Sequence, residues 1–384
     1  MKNKRKNATI LLLSYAILVA VSMMIPNDIS RFNGYLIVIF GFILMIYERD
    51  PLVYILSASI SLLMAAFSLK NGVKLMYIAG DTALFFYVIS SVNLINQLRY
   101  GKLTWRVLGL LSLLMIVLST IGMANPGVYE FVDGENRYNG VFVSGNTSAC
   151  MFLIVEILLW EKLKCSKYNK ILVVGFGLAF FAYVFASQTR TMFFALPYWG
   201  YQLYKVFGKK TTITASILSL PVWGFVFAYF VEHARLEEDA SYMTRVGIYA
   251  IQLSGIWENY IVIPHGSEEA VRLVRNEVIT DNFSPHNDFL AYTYNWGIFF
   301  LIILFYFYKK FRQYRLLNLN NILILIAYSG FALHNLLFLP YVWLPLIFVF
   351  IQDKQIQFTR LTHLNFLQHQ NFLRHTKGNH CPSR

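Results

Sequence analysis

The chain has 384 residues, of which 57% are hydrophobic and only 14% are charged, and its formal net charge at neutral pH is +13. The charged residues fall in short clusters, and the apolar runs between them approach the roughly 20 residues that a helix needs to cross a bilayer. This pattern argues against a soluble protein. It predicts an all-α polytopic membrane protein, because the apolar runs lack the two-residue alternation of barrel strands.

About twelve transmembrane helices are predicted in chain order, at residues 8–25, 33–47, 52–69, 75–95, 107–123, 147–160, 171–186, 192–206, 213–231, 289–308, 321–337 and 341–352. The first is not predicted to be a removable signal peptide, since Met23–Pro26 offers no small-residue cleavage site. Residues 1–359 are therefore predicted to form one helical membrane domain. Residues 360–384 are predicted to be a loosely ordered cytoplasmic tail, and its four histidines leave metal binding as the alternative.

The distribution of charge predicts the orientation of these helices. If both termini lie in the cytosol, the inner loops and the tail hold 24 of the 33 Lys and Arg residues, and the outer segments hold 13 of the 20 acidic residues. This asymmetry follows the positive-inside rule of multi-pass membrane proteins. The net positive charge is therefore no indication of nucleic-acid binding.

Two outer segments are long, residues 124–146 and residues 232–288. The second holds most of the external acidic residues and includes Tyr242–Ile263, where apolar residues recur at a spacing of three to four. This spacing predicts an amphipathic helix that lies on the outer membrane face, or one that is docked on the other helices without a substrate role. The inner loops are too short for a nucleotide-binding domain, which argues against an ATP-driven transporter.

Four polar clusters are predicted to share the outer face. Arg190 lies in a short break between two apolar runs, where a guanidinium group surrounded by hydroxyl groups suits a phosphate at headgroup depth; an interfacial anchor is the alternative. Arg245 lies on the amphipathic segment, where a salt bridge to one of the loop's acids is the alternative. The other two clusters are Arg137–Asn146 and Ser284–Asp288, and in the second of these His286 is a candidate proton acceptor or a residue near a helix start.

Three short motifs in these clusters resemble those of one protein superfamily. They are Arg137-x-x-Gly140-x-Phe142-x-x-x-Asn146, Ser187-x-x-Arg190, and His286-Asn287-x-x-Leu290 followed by Gly297. In their order and common side, the motifs resemble the O-antigen polymerase and O-antigen ligase superfamily, the Wzy-type and WaaL-type membrane glycosyltransferases. The chain departs from that pattern at Gly145, where the family has proline, and at Thr189, where it has serine. Arg245 is matched by its context rather than by a motif.

The resemblance implies an enzyme that transfers a glycan from an undecaprenyl-diphosphate carrier to a sugar hydroxyl, without a metal or another cofactor. In that scheme His286 accepts the proton of the hydroxyl, and Arg190 and Arg245 hold the diphosphate. Arg137, Asn146, Asn287 and Asp288 are the implied substrate-binding residues, although Asp288 lies outside the motif. The implied partners are the lipid-linked glycan, membrane lipids and a chain-length regulator protein.

Alternatives to this interpretation stay open at the sequence level. We predict a polymerase of lipid-linked repeat units, and the nearest alternative is a ligase that transfers glycan to lipid A core. A flippase for lipid-linked glycans fits the span count, with Asp81 and Glu156 as the charges inside spans. A metal-dependent glycosyltransferase would have Glu237–Asp239 as its acidic cluster.

Overall fold

The computed structural model describes most of the chain between residues 50 and 354. The described ranges are 50–97, 102–124, 129–132, 135–138, 145–187, 189–211, 213–214, 240–258, 263–267, 269–277, 287–334, 338 and 342–354, together with residues 39, 41, 43, 44, 46 and 48. The first, second and ninth predicted spans, at 8–25, 33–47 and 213–231, lie wholly or largely outside these residues.

The described structure is predominantly helical. Its helices are α1 (Pro51–Lys70), α2 (Leu75–Gln97), α3 (Lys102–Gly122), α4 (Gly145–Leu163), α5 (Asn169–Ser187), α6 (Leu196–Phe207), α7 (Ala240–Glu258), α8 (Glu269–Glu277), α9 (Asp288–Trp296), α10 (Ile298–Gln313), α11 (Leu319–Ser329) and α12 (342–354). Two 3-10 helices, Arg190–Ala195 and Gly330–His334, precede α6 and follow α11. A short antiparallel hairpin joins β1 (Tyr129–Val132) to β2 (Glu135–Tyr138), with Tyr129 opposite Tyr138.

The first long hairpin shows how local sequence sets the helix ends. Asp50 caps α1 by accepting a hydrogen bond from the Leu52 amide at 3.0 Å, and Pro51 occupies the first turn, where a missing N–H costs nothing. At the other end Gly72 has a φ of 72°, a conformation that suits glycine and allows the chain to reverse into α2.

Several helices are apolar enough to span a membrane, as expected for a membrane protein. Among the described residues, three helical stretches meet the length and composition of a span: Pro51–Lys70, Tyr77–Ile95 and Asn169–Ser187. A fourth candidate is the pair of α9 and α10, which is bent by 118° at its junction. These correspond to the third, fourth, seventh and tenth predicted spans, and the full set of twelve stays a prediction.

Two helices form the centre of the protein. Every residue from Ser148 to Glu161 in α4 is buried, and so is every residue from Val342 to Gln352 in α12. A helix that is apolar on all sides is expected at the core of a bundle, where neighbouring helices cover it completely. The short sixth and twelfth predicted spans are thus interior helices surrounded by the rest of the bundle.

One end of the bundle is joined by a polar network around Asn93 of α2. The Asn93 side chain is 3% exposed; its amide nitrogen donates to Asp50 at 3.5 Å, and its oxygen accepts from the Tyr306 hydroxyl at 2.8 Å and the Tyr314 hydroxyl at 3.4 Å. Lys310 completes the cluster, 3.7 Å from the Asp50 carboxylate. The start of α1 and the ends of α2 and α10 therefore share one side of the protein.

The Tyr314 phenol of this network, just beyond the end of α10, stays a protonated donor at neutral pH. Burial, together with the nearby Asp50 and Glu48 carboxylates, raises the pKa of Tyr314 to about 12. A protonated hydroxyl is required for the hydrogen bond to the Asn93 oxygen.

Replacing Asn93 with alanine is expected to destabilise the protein by about 2–4 kcal/mol, because two buried hydroxyl groups lose their acceptor. Tyr306→Phe removes one donor and leaves the amide paired, so its expected cost is only about 1 kcal/mol. Thermal unfolding of the purified protein measures both. Equal stability losses in the two variants would show that the Asn93 network does not join these helices.

Candidate functional site

The structure describes the predicted site residues to different extents. It gives the backbone at Arg137, Asn146, Arg190 and Arg245, each in a helix or strand, and it gives both backbone and side chain at Asn287 and Asp288. His286 and the acidic cluster Glu237–Asp239 lie outside the described residues. The site is therefore built here from the elements that carry these residues.

The third motif forms the start of a short helix. Asn287 is the N-cap of α9, and its side-chain oxygen accepts hydrogen bonds from the amides of Phe289 at 3.1 Å and Leu290 at 3.2 Å. Asp288 follows in the first helical turn and is only 5% exposed. His286 is therefore the residue directly before the N-cap of a partly buried helix.

Gly297 ends α9 and turns the chain sharply into α10. Its φ of 49° and ψ of −124° form a backbone conformation that is essentially restricted to glycine, and the chain bends by 118° between the two helices. The predicted span 289–308 is thus two helices rather than one continuous helix. The sharp bend orients the start of α9 independently of the axis of α10.

Gly297→Ala is expected to lower stability by about 1–3 kcal/mol, because the added Cβ is strained in this conformation. Gly177→Ala is a matched control, since Gly177 lies inside α5 and no atom comes within 4 Å of an added Cβ. The control is expected to be neutral or slightly stabilising, because alanine has a higher helix propensity than glycine. Thermal unfolding measures the stability of both variants. A Gly297→Ala variant as stable as the wild type would contradict the bent arrangement.

The elements that carry the predicted residues pack around the 330–334 3-10 helix. This short helix contacts α9, which begins with Asp288; the 190–195 3-10 helix, which begins with Arg190; and α4, whose first turn contains Asn146. Gly330 makes the approach of the 190–195 helix possible, since a Cβ there would lie 2.9 Å from the Thr191 carbonyl oxygen. The structure therefore brings together the elements of three predicted polar clusters.

The remaining two arginines lie on neighbouring elements. Arg245 belongs to α7, which packs on α8 and α9, and Arg137 belongs to β2, which contacts α5. Arg190 follows α5 by three residues. All four polar clusters are thus carried by elements that contact one another.

The end of α9 is fixed by a second polar network, around Asp81 of α2. The Asp81 carboxylate accepts hydrogen bonds from the Ser267 hydroxyl at 2.5 Å and from the Trp296 indole N–H at 3.3 Å. The Ser267 amide in turn donates to the Ser68 hydroxyl at 2.9 Å. Asp81, a charge inside a predicted span, thus positions α9 and the segment around Ser267 against the α1–α2 hairpin.

The same contact region contains a histidine that sequence reasoning missed. The His265 ring stacks on Tyr294 with centroids 4.0 Å apart, and its Nδ1 lies 2.9 Å from the Tyr294 carbonyl oxygen. The amides of His265 and Gly266 both donate to the Asn295 carbonyl oxygen. The sequence signal that could have pointed to this residue is a histidine between a proline and a glycine, Pro264-His265-Gly266. In the structure, His265 attaches this turn to α9.

The predicted amphipathic helix is present as α7 and is docked on its neighbours. Ile256 packs in a small apolar cluster with Ala270 of α8 and Tyr294 of α9, and a Cβ on Gly255 would come within 2.8 Å of Leu273. Its opposite side exposes apolar residues, of which Trp257 is 81% exposed. The helix therefore joins the outer loop to α9 and also presents an apolar face.

Comparison with known proteins adds no relative. No protein-family model matches the chain, and no curated protein matches its sequence. Among the described residues, no group of three His, Cys, Asp or Glu side chains is arranged to hold a metal ion. Function is therefore argued from the motifs and the packing of the elements that carry them.

Proposed function

We propose that the protein is a membrane glycosyltransferase that polymerises undecaprenyl-diphosphate-linked oligosaccharide repeat units of a surface polysaccharide. One observation carries the proposal: Asn287 and Gly297, two residues of the third motif, cap the two ends of a short helix, and the N-cap Asn287 directly follows His286 in the sequence. The packing of the Arg190 and Asn146 elements around the 330–334 helix supports it further. The motif residues thus have structural roles that would hold a histidine and an arginine-bearing turn in one region.

In the proposed reaction His286 accepts the proton of an acceptor sugar hydroxyl. The hydroxyl oxygen forms a bond to the anomeric carbon of the donor glycan as the bond from that carbon to the diphosphate oxygen breaks. Negative charge then grows on the departing undecaprenyl diphosphate, and Arg190 and Arg245 would stabilise it with charge-assisted hydrogen bonds. Arg137, Asn146, Asn287 and Asp288 would position the two glycans.

The proposed location is the outer face of the cytoplasmic membrane, with both termini in the cytosol. The asymmetric distribution of Lys and Arg supports this orientation. The polar networks around Asn93 and Asp81 lie near opposite ends of α2, which agrees with an inner end near Lys310 and an outer end near α9. A donor with a lipid tail and a protruding diphosphate would reach the Arg190 turn from the outer leaflet.

The direct test uses purified full-length protein with a lipid-linked repeat unit in detergent or proteoliposomes, without added metal. A ladder of products, each one repeat unit longer, is the expected result on gel electrophoresis. A requirement for manganese or magnesium would overturn the metal-free mechanism. A single addition to supplied lipid A core, with no ladder, would indicate that the protein is a ligase and not a polymerase.

A flippase is the second candidate, and Glu156 is the observation that favours it. This glutamate is fully buried in α4, and neither carboxylate oxygen has a hydrogen-bond partner among the described residues. Buried carboxyl groups in membrane proteins often belong to ion or proton pathways. A flippase predicts that Glu156→Gln leaves lipid-linked units on the cytosolic side of the membrane, whereas the polymerase predicts their normal appearance on the outer side.

A further inference from the structure

A polar cavity of about 400 Å³ lies at the end of the bundle away from the Arg190 turn. It is formed where α4, α6 and α12 end and where α5 and α11 begin. Asn169 at the start of α5 lines the cavity, and the full 19-residue length of that helix, about 27 Å, separates it from the Arg190 turn. The cavity is therefore distinct from the proposed glycosyltransferase site.

The base of the cavity is a set of satisfied hydrogen bonds around Glu161. Its carboxylate accepts from the Tyr198 hydroxyl at 2.9 Å and from the Asn320 amide at 3.1 Å, and it pairs with Lys164. The Gln202 amide donates to the Asn320 oxygen at 2.6 Å. These bonds hold the ends of three helices in place, so the cavity has rigid walls.

Two further donors line this cavity. The Trp160 side chain is fully buried, and its indole N–H has no hydrogen-bond partner among the described residues. Lys205 is exposed and lies over the Tyr201 ring at 4.9 Å, with no ion pair to a described carboxylate. Asp353 also lines the cavity, and its carboxylate accepts hydrogen bonds from two asparagine amides. Because Lys164 is already paired with Glu161, the groups left for an anion are the unpartnered buried indole donor and Lys205.

The surroundings of the cavity favour a lipid over a soluble ion. Leu319, which lines the cavity, is 54% exposed, and Ile171, two residues from Asn169, is 73% exposed. Exposed leucine and isoleucine in a membrane bundle are suited to contact acyl chains. The adjoining loops carry Lys162–Lys170 and Lys205–Lys210 on the predicted cytosolic face, where anionic lipids gather.

We propose that this cavity binds the phosphate group of a phospholipid headgroup in the cytoplasmic leaflet. Lys205 supplies the positive charge, the Trp160 indole supplies a fixed donor, and the acyl chains lie along the apolar surfaces of α5 and α11. A volume of this size accommodates a glycerophosphate headgroup. The inference does not rest on the glycosyltransferase proposal.

The test measures lipid retained by the full-length protein, purified from nanodiscs of phosphatidylglycerol and examined by native mass spectrometry. Lys205→Gln is expected to lower the apparent affinity for phosphatidylglycerol by about tenfold, the loss typical of one charge-assisted hydrogen bond. Lys210→Gln is the matched control, because Lys210 is an exposed lysine five residues after Lys205 and does not line the cavity. Equal losses in both variants would overturn the proposal, since they would indicate attraction by surface charge alone.

A second pair of variants tests the indole donor. Trp160→Phe keeps an aromatic ring and removes the N–H, so it is expected to weaken lipid retention. Trp199→Phe also removes a buried N–H without a partner among the described residues, but Trp199 does not line the cavity, so retention is expected to be unchanged. Equal retention by Trp160→Phe and the wild type would overturn the assignment of the donor. Displacement of the lipid by excess inorganic phosphate would overturn the lipid source and identify free phosphate as the ligand.

Discussion

Replacing His286 with alanine is expected to abolish the product ladder formed from a lipid-linked repeat unit. Without its proton acceptor, the acceptor hydroxyl is a poor nucleophile, and loss of a general base typically slows a reaction by about 10²–10⁴-fold. The measurement is the initial rate of repeat-unit addition by purified protein, with protein folding checked by thermal unfolding. Stability is expected to be retained, because α9 is capped by Asn287 rather than by His286.

A histidine of the predicted tail provides the control for this variant. His369→Ala removes the same kind of side chain on the cytosolic side, so the ladder is expected to be unchanged. Normal ladder formation by His286→Ala would refute the assignment of the base. If lipid-linked units also accumulated on the cytosolic side of cells carrying His286→Ala, the flippase would become the better account.

The strength of the apolar signal decided how well individual helices were predicted. The helices α1, α2 and α5 follow long, mostly apolar runs with a break at each end, and their predicted positions agree with the structure within a few residues. The predicted span 192–206 is instead a 3-10 helix followed by the 12-residue α6. Pro197 in the first turn of α6 explains the change, because proline lacks the N–H that would continue a preceding helix.

The bend at Gly297 shows a limit of hydropathy as a guide. The apolar run continues on both sides of Gly297, so average hydropathy favours one continuous helix. The backbone conformation at this glycine, with φ of 49°, depends on local strain and on tertiary contacts rather than on polarity. Only the resemblance, which includes a glycine seven residues after Leu290, drew attention to this position.

The position of the candidate site could be predicted from the sequence only in part. Local patterns placed Asn287 near a helix start and Arg190 in a break between apolar runs; the structure has Asn287 as the N-cap of α9 and Arg190 as the first residue of a 3-10 helix. The contacts of Asp81 with Ser267 and Trp296 join residues 186 and 215 positions apart. No periodicity or local motif contains such a pairing, because it depends on how the outer loop folds back onto the α1–α2 hairpin.

These long-range contacts indicate a different role for Asp81 from the one that its sequence position suggests. A charge inside a span is by default a candidate for transport or catalysis. Its hydrogen bonds to the outer loop and to α9 instead indicate a structural role, in which α9 is held at its C-terminal end while Asn287 caps its start. Together these contacts fix the helix that follows the candidate base.

Arg190→Ala is expected to lower the rate of repeat-unit addition by about 10²–10³-fold, the loss typical of one donor that stabilises transition-state charge. Arg190 begins a 3-10 helix that packs against α11, α4 and the 330–334 helix, so its backbone position is well defined. Arg190→Lys keeps the charge but loses the planar guanidinium that binds phosphate through two hydrogen bonds. Partial activity is therefore expected for lysine, between that of alanine and that of the wild type.

Arg272→Ala is the matched control for the arginine series. Arg272 lies on α8 with its side chain 61% exposed and paired with Glu269 at 3.4 Å, and a surface ion pair of this kind contributes little to stability. Its removal is expected to leave the rate unchanged. An equal loss of rate in Arg190→Ala and Arg272→Ala would mean that general positive charge on the outer face attracts the substrate, and the diphosphate-binding role of Arg190 would have to be abandoned. A loss of rate that occurs only in Arg190→Ala, and that increases with the charge of the leaving group, would instead indicate that Arg190 stabilises the departing diphosphate.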